Sequence, residues 1–141
     1  MIKILFCLRR LPRLTPAAFQ LYWREQHAPL VHRHAALLGI RRYVQSHSIA
    51  DSRLAGLAVA RGTAVAAYDG VAELWFDSLA FLTADPASLP EASRLAARAL
   101  LDDERRFIDL PASPIFVVEE QEIIDYIPRT GGEVVPKRRD R

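Results

Sequence analysis

Two long stretches of helical periodicity stand between short runs of strand-forming residues, and their order along the chain limits it to few folds. Ile2-Lys3-Ile4-Leu5-Phe6-Cys7-Leu8 opens a run over 2–9 that is too brief for a helix and rich in β-formers. Pro12 closes it. Thr15-Pro16 then supplies a hydroxyl N-cap and a proline at the first helical position. The pattern predicts a helix from 16 to 38, bent at Pro29 and stopped by Gly39. Mixed alternation over 40–49 predicts a second strand. Residues 50–69 lack periodicity, carry Gly56 and Gly62, and predict a long connection. Tyr68-Asp69-Gly70 reads as a turn into a third strand from Val71 to Phe76. A short helical turn is expected after Ser78 and a second long helix from Glu91 to Ile108; Ile115-Phe116-Val117-Val118 then opens a fourth strand reaching Ile124.

The order β-α-β-β-α-β is the split βαβ pattern of the ferredoxin-like α+β fold. It implies a four-stranded antiparallel sheet with both helices on one face. The other face then needs a cover. Strand one carries Ile2, Ile4 and Phe6 on one side and Leu5 and Cys7 on the other; strand three carries Ala72, Leu74 and Phe76 opposite Val71 and Trp75. A monomer would expose the second apolar face, so a homodimer joined sheet to sheet, a dimeric α+β barrel, is expected.

At 141 residues, half of them hydrophobic, the chain fits one folded domain. We place that domain at 1–128 and a flexible basic tail at 129–141, where Lys137-Arg138-Arg139-Asp140-Arg141 concentrates the positive excess. The net charge is only +2, and without the tail the body is near neutral, which argues against a nucleic-acid partner. The single cysteine, Cys7, excludes an internal disulfide and fits a reducing compartment. No segment has transmembrane length, and the opening apolar run lacks the flanks of a signal peptide, so a soluble cytoplasmic protein without membrane contact is expected.

Polar residues at apolar positions mark the candidate site. In the first helix Phe19, Trp23, Gln26 and Leu30 share a stripe flanked by Tyr22 and His27, next to the proline bend. In the second helix Asp103 interrupts a stripe of Ala92, Ala96, Ala99, Leu100 and Phe107; a buried carboxylate there must be paired. Tyr43, Gln45 and His47 alternate and so share one sheet face, and Glu73 and Trp75 share a face of strand three. Each has a plain structural explanation too: a hydrogen-bonded core histidine, a carboxylate tied to a tyrosine or arginine, the wet face of an edge strand. The four histidines, His27, His32, His34 and His47, lack the three- or four-residue helical spacing of zinc ligands, so no metal site is expected. Neither a dinucleotide fingerprint nor a phosphate loop is present, and no cofactor is expected.

Together these residues resemble the EthD family of dimeric α+β barrels. The resemblance rests on Arg9-Arg10, on Pro12-x-Leu14-Thr15-x-x-x-Phe19-x-x-Tyr22-Trp23-x-x-x-His27-Ala28-Pro29-Leu30, and on Tyr43-x-Gln45-x-His47. Tyr68-Asp69-Gly70-Val71-Ala72-Glu73-x-Trp75-Phe76 and Asp103-x-x-x-Phe107-Ile108-Asp109 complete it. It implies a cavity between sheet and helices and a link to oxidative metabolism of small organic molecules. On that basis the expected function is a small-molecule enzyme, an oxidoreductase, acting on an apolar aromatic or polyketide-like compound. His27 is its expected proton-transfer group, with His47 and Asp103 as further catalytic candidates. Tyr22, Trp23, Tyr43, Glu73, Trp75 and Phe107 are the substrate-binding candidates. The alternatives are a cofactor-free cyclase, isomerase or dehydratase, and a non-catalytic binding protein serving an oxidase. An RNA-recognition module shares the element order, but Ile2-Lys3-Ile4 and Ala72-Glu73-Leu74-Trp75 do not supply its exposed aromatic and basic residues.

Overall fold

In the computed structural model, which describes residues 1–127, β1 (Ile2–Leu8) is hydrogen-bonded along both edges. It runs antiparallel to β3 (Gly70–Phe76) and to β4 (Ile115–Glu119). β2 (Arg42–His47) joins the far side of β3, which gives the sheet order β2-β3-β1-β4 expected of the split βαβ pattern. β4 stops at Glu119 rather than Ile124 because β1, its sheet partner, begins at Ile2, directly opposite Glu119. The basic tail assigned to 129–141 lies outside the described residues.

The first helical stretch is three segments: α1 (Pro16–Tyr22), a π turn (Trp23–His27) and α2 (Ala28–His34). Thr15 caps it as its sequence predicts, its hydroxyl accepting from the Ala18 N–H at 3.1 Å. Pro29 has no N–H, and its ring would crowd the carbonyl four residues back. The chain answers by widening one turn ahead of the proline. The Ala28 N–H reaches five residues back to the Trp23 carbonyl, and Gln45 Nε2, from β2, donates to that same oxygen at 2.9 Å. The extra residue changes which side chains face inward. Burial runs Phe19, Trp23, His27, Val31, while Gln26, placed on the stripe by sequence, is exposed. After α2 the chain turns at once and reverses at Gly39, whose φ is 68°.

Residues 50–69 hold only a short 3₁₀ turn (Ser52–Leu54) and α3 (Gly56–Val59). The Tyr68-Asp69-Gly70 turn is shifted: Gly70 is already the first residue of β3, opposite His47. α4 (Ala80–Thr83) precedes α5 (Glu91–Glu104). α5 ends before Ile108 because Ile108 bridges to Arg10 instead, with the Leu11 N–H donating to the Phe107 carbonyl and the Asp109 N–H to the Arg9 carbonyl. That backbone pairing turns Phe107 inward. Phe6, Leu8, Phe19, Trp23, Ala72, Phe107 and Ile108 form the core between helices and sheet. Ser93 Oγ donates to the Leu37 carbonyl at 2.9 Å and ties α5 to the end of the first helical stretch.

The opposite sheet face has its own polar cluster. Lys3 Nζ lies 2.9 Å from both Glu73 Oε1 and Glu120 Oε1 and 4.8 Å from the Trp75 ring centre. The Arg42 guanidinium approaches the same ring at 4.5 Å. Burial alone would lower the Lys3 ammonium, but its bonds to Glu73 and Glu120 outweigh that and raise its pKa. Among the described residues no helix is long and apolar enough to cross a membrane.

Candidate functional site

His27 and Asp103 meet where the π turn faces α5. His27 Nδ1 is 2.7 Å from Asp103 Oδ2, and the Tyr22 hydroxyl donates to Asp103 Oδ1 at 2.5 Å. The two side chains are almost fully enclosed, at 6% and 12% exposure for His27 and Asp103. The Phe107 ring packs 5.0 Å from the imidazole and 5.1 Å from Tyr22. One proton must sit in the His27–Asp103 contact, since a bare carboxylate oxygen and a bare imidazole nitrogen would repel at that distance. With it on Nδ1, Nε2 carries the lone pair. Burial lowers the His27 pKa, and Asp103 opposes the shift without cancelling it, so the imidazole is neutral at pH 7. Burial also raises the Tyr22 pKa, helped by Asp103 and opposed by the nearby Arg106 guanidinium, so Tyr22 stays a donor.

A second network spans the helix-facing side of β2. Trp23 Nε1 donates to the Tyr43 hydroxyl at 3.1 Å, and Gln45 Nε2 donates to the same oxygen at 3.0 Å. Because Gln45 Nε2 also bonds the Trp23 carbonyl, which can only accept, the amide orientation is determined. Gln45 Oε1 must then face His47, whose Nε2 lies 2.8 Å away and therefore carries the hydrogen. Among the described residues His47 Nδ1 is left a buried acceptor without a partner, and the imidazole packs at a tilt with its centre 4.4 Å from the Trp23 ring centre. Burial and, secondarily, the Arg24 charge lower the His47 pKa.

Of the sequence candidates, His27, Asp103, Tyr22 and Phe107 thus converge, and Trp23, Tyr43 and His47 form a neighbouring group linked through Trp23. Glu73 and Trp75 do not join them. Their neighbours Ala72 and Leu74 pack in the core, so alternation puts Glu73 and Trp75 on the other face, with Lys3. The layer between helices and sheet is filled by Phe19, Trp23 and Phe107. Open space lies at the margins of that layer: a groove of about 510 Å³ between the helices that reaches Tyr22 and Asp103, and a smaller hollow of about 270 Å³ between α2 and β2 that reaches Tyr43.

The family model for the EthD domain matches residues 11–111. The chain belongs to the EthD family. Among solved structures it is similar to an ethyl tert-butyl ether D (EthD) family protein from Bacillus halodurans C-125. That crystal structure superposes with a TM-score of 0.53 at 16% identity, covering 86% of this chain and all of the other, and the likeness shows a shared fold. No curated protein matches this chain.

One titratable group of this EthD domain escaped the sequence reading. Glu104, next to Asp103 on α5, has its pKa raised to about 7, chiefly by burial and then by the Asp103 charge, against the pull of Arg105. Its charge is felt at Tyr43, whose own pKa is raised mainly by burial. The signal was present: Glu104 is four residues from Leu100 and three from Phe107, on the inward side of the stripe that drew attention to Asp103. Among the described residues no three His, Cys, Asp or Glu side chains converge as a metal site would require.

Proposed function

We propose that this EthD protein is a small-molecule enzyme, an oxidoreductase acting on an apolar aromatic or polyketide-like compound, with His27 as its proton-transfer group. The observation that carries the reading is the 2.7 Å contact of His27 Nδ1 with Asp103, itself held by Tyr22. A buried carboxylate on Nδ1 orients the ring, leaves Nε2 basic and stabilises the imidazolium formed when Nε2 takes a substrate proton. Tyr22 offers ring surface to the groove, the enclosed Phe107 and Trp23 rings back the site, and Tyr43 and His47 orient polar groups on the substrate. The same transfer without a redox partner would serve an isomerase, cyclase or dehydratase.

The test begins with compounds that raise the melting temperature, since selective binding to the native state stabilises it. Turnover of such a compound should fall by about 10²–10⁴ in His27→Ala, the range for losing an acid–base group. Unchanged turnover in both His27→Ala and His47→Ala would reject the assignment. A second reading is binding without turnover, as an accessory to an oxidase. The close packing of Phe19, Trp23 and Phe107 beside His27 favours it. Product formed by the purified protein alone separates the two.

The assembly we propose is a homodimer joined through the sheet face that carries Leu5, Cys7, Val71 and Phe116. Phe116 is 47% exposed in the single chain, an unusual position for a phenylalanine in a strand paired to the sheet centre. Such a pairing buries roughly 1,600 Å² or more in a stable dimer.

A further inference from the structure

The groove between the first helical stretch and α5 has a charge arrangement that the His27 proton-transfer chemistry does not use. It is lined by Tyr22, Pro29, Leu30, Arg33, Ala99 and Arg106, together with the acids Glu25, Asp102 and Asp103. Each acid already has a partner. Glu25 pairs with Arg24 at 2.9 Å, Asp102 with Arg98 and Arg105 at 3.4 and 2.8 Å, and Asp103 with His27 and Tyr22. Arg33 and Arg106 have no carboxylate partner among the described residues. Arg106 instead stands beside the Tyr22 hydroxyl, where its charge is felt.

Two arginines without a carboxylate partner thus line a groove of about 510 Å³, a size typical of small-molecule sites. Pro29, Leu30 and Ala99 give it an apolar wall. From this we infer that the groove is a binding site for a small organic anion, an aryl carboxylate, with its ring against Pro29, Leu30 and Ala99 and its carboxylate held by Arg33 and Arg106. Planar guanidinium forks suit a carboxylate better than a neutral amide, because charge-assisted bonds are about twice as strong as neutral ones. The ligand reaches the groove side of Tyr22 and Asp103, so the inference stands apart from proton transfer at His27 Nε2.

Calorimetric titration of the full chain with 2-naphthoate and with 2-naphthamide tests it. The carboxylate should bind at least about tenfold more tightly than the amide, equivalent to ~1.4 kcal/mol, with the margin shrinking as salt rises. Arg33→Gln/Arg106→Gln should abolish the preference, and unchanged circular dichroism with an unchanged melting temperature would exclude unfolding as the cause. If the double variant is destabilised, Arg33→Gln alone, which leaves the Arg106–Tyr22 contact in place, should still reduce the preference. Equal binding of acid and amide, no binding of either, or a preference that survives both substitutions would overturn the inference. Turnover is not read in any arm, so these outcomes leave the His27 reading to its own test.

Discussion

Trp23 lies against the backbone of Gly70 so closely that a β-carbon there would come within 2.5 Å of Trp23 Cζ3 and 2.7 Å of the Ser46 carbonyl oxygen. The glycine is needed for space, since its backbone is ordinary strand. Gly70→Ala should therefore cost about 1–3 kcal/mol by overpacking, read as a lower urea midpoint. Gly56→Ala is the matched control, because a β-carbon added there would meet nothing within 4 Å.

Asp103 is what keeps the His27 pKa from falling further. Asp103→Asn should move the His27 titration to lower pH, followed by NMR of the imidazole. It should also reduce turnover of any identified substrate, because the imidazolium loses its counter-charge. A His27 pKa that rises in Asp103→Asn would contradict the pairing.

Glu104 and His27 give stability opposite pH dependences. His27 is depressed in the fold, so its contribution is complete above the unfolded value of about 6.5 and drains as pH falls below it. Glu104 is raised to about 7, so it favours the fold while protonated; that contribution is complete below about 4.5 and is lost as pH rises through 7. Glu104→Gln should stabilise the protein at pH 8 relative to wild type by about 1–3 kcal/mol more than at pH 5. Urea unfolding at the two pH values measures the difference.

Tyr43 offers its oxygen to two donors, Trp23 Nε1 and Gln45 Nε2. In Tyr43→Phe the indole N–H loses its acceptor in a part-buried site. A loss of about 1–3 kcal/mol is expected, the cost of an unsatisfied buried donor. Thermal unfolding reads it directly.

Sheet-to-sheet pairing predicts a particle of twice the 15.9 kDa of one chain. Light scattering at micromolar concentration should find that mass, and Val71→Lys should reduce it toward a monomer while leaving the circular dichroism intact. A monomer mass for the unmodified protein would reject the dimer.

Much of this architecture is legible in the chain itself, because strand and helix periods are local. The βαββαβ order, the Thr15 cap and the reversal at Gly39 all follow from neighbours in sequence. Parity along β3 also separates Glu73 and Trp75 from Ala72 and Leu74, so their distance from His27 is readable from alternation alone. What is not local is less visible. Asp103 is readable as a carboxylate needing a partner, but Tyr22 and His27 are separated from it by 81 and 76 positions. The length of α5 depends on a competing backbone pairing with residues 9–11, and the form of the bend before Pro29 on a glutamine arriving from β2.

The π turn has a geometric consequence of its own. Phe19, Trp23, His27 and Val31 are evenly spaced by four and all buried, so three such intervals span twelve residues, whereas three turns of α-helix take only about 11. In an unbroken α-helix a row with that spacing would spiral away from the sheet, and its last members would leave the core. The one added residue works as a vernier: it absorbs the mismatch between a spacing of four and a pitch of 3.6, and keeps an imidazole in line with two aromatic rings and a valine. Wound at the ordinary pitch with no residue removed, the same stretch would turn by about 100° more and carry His27 out of line with Trp23 and out of reach of Asp103, while every side chain of the site remained present.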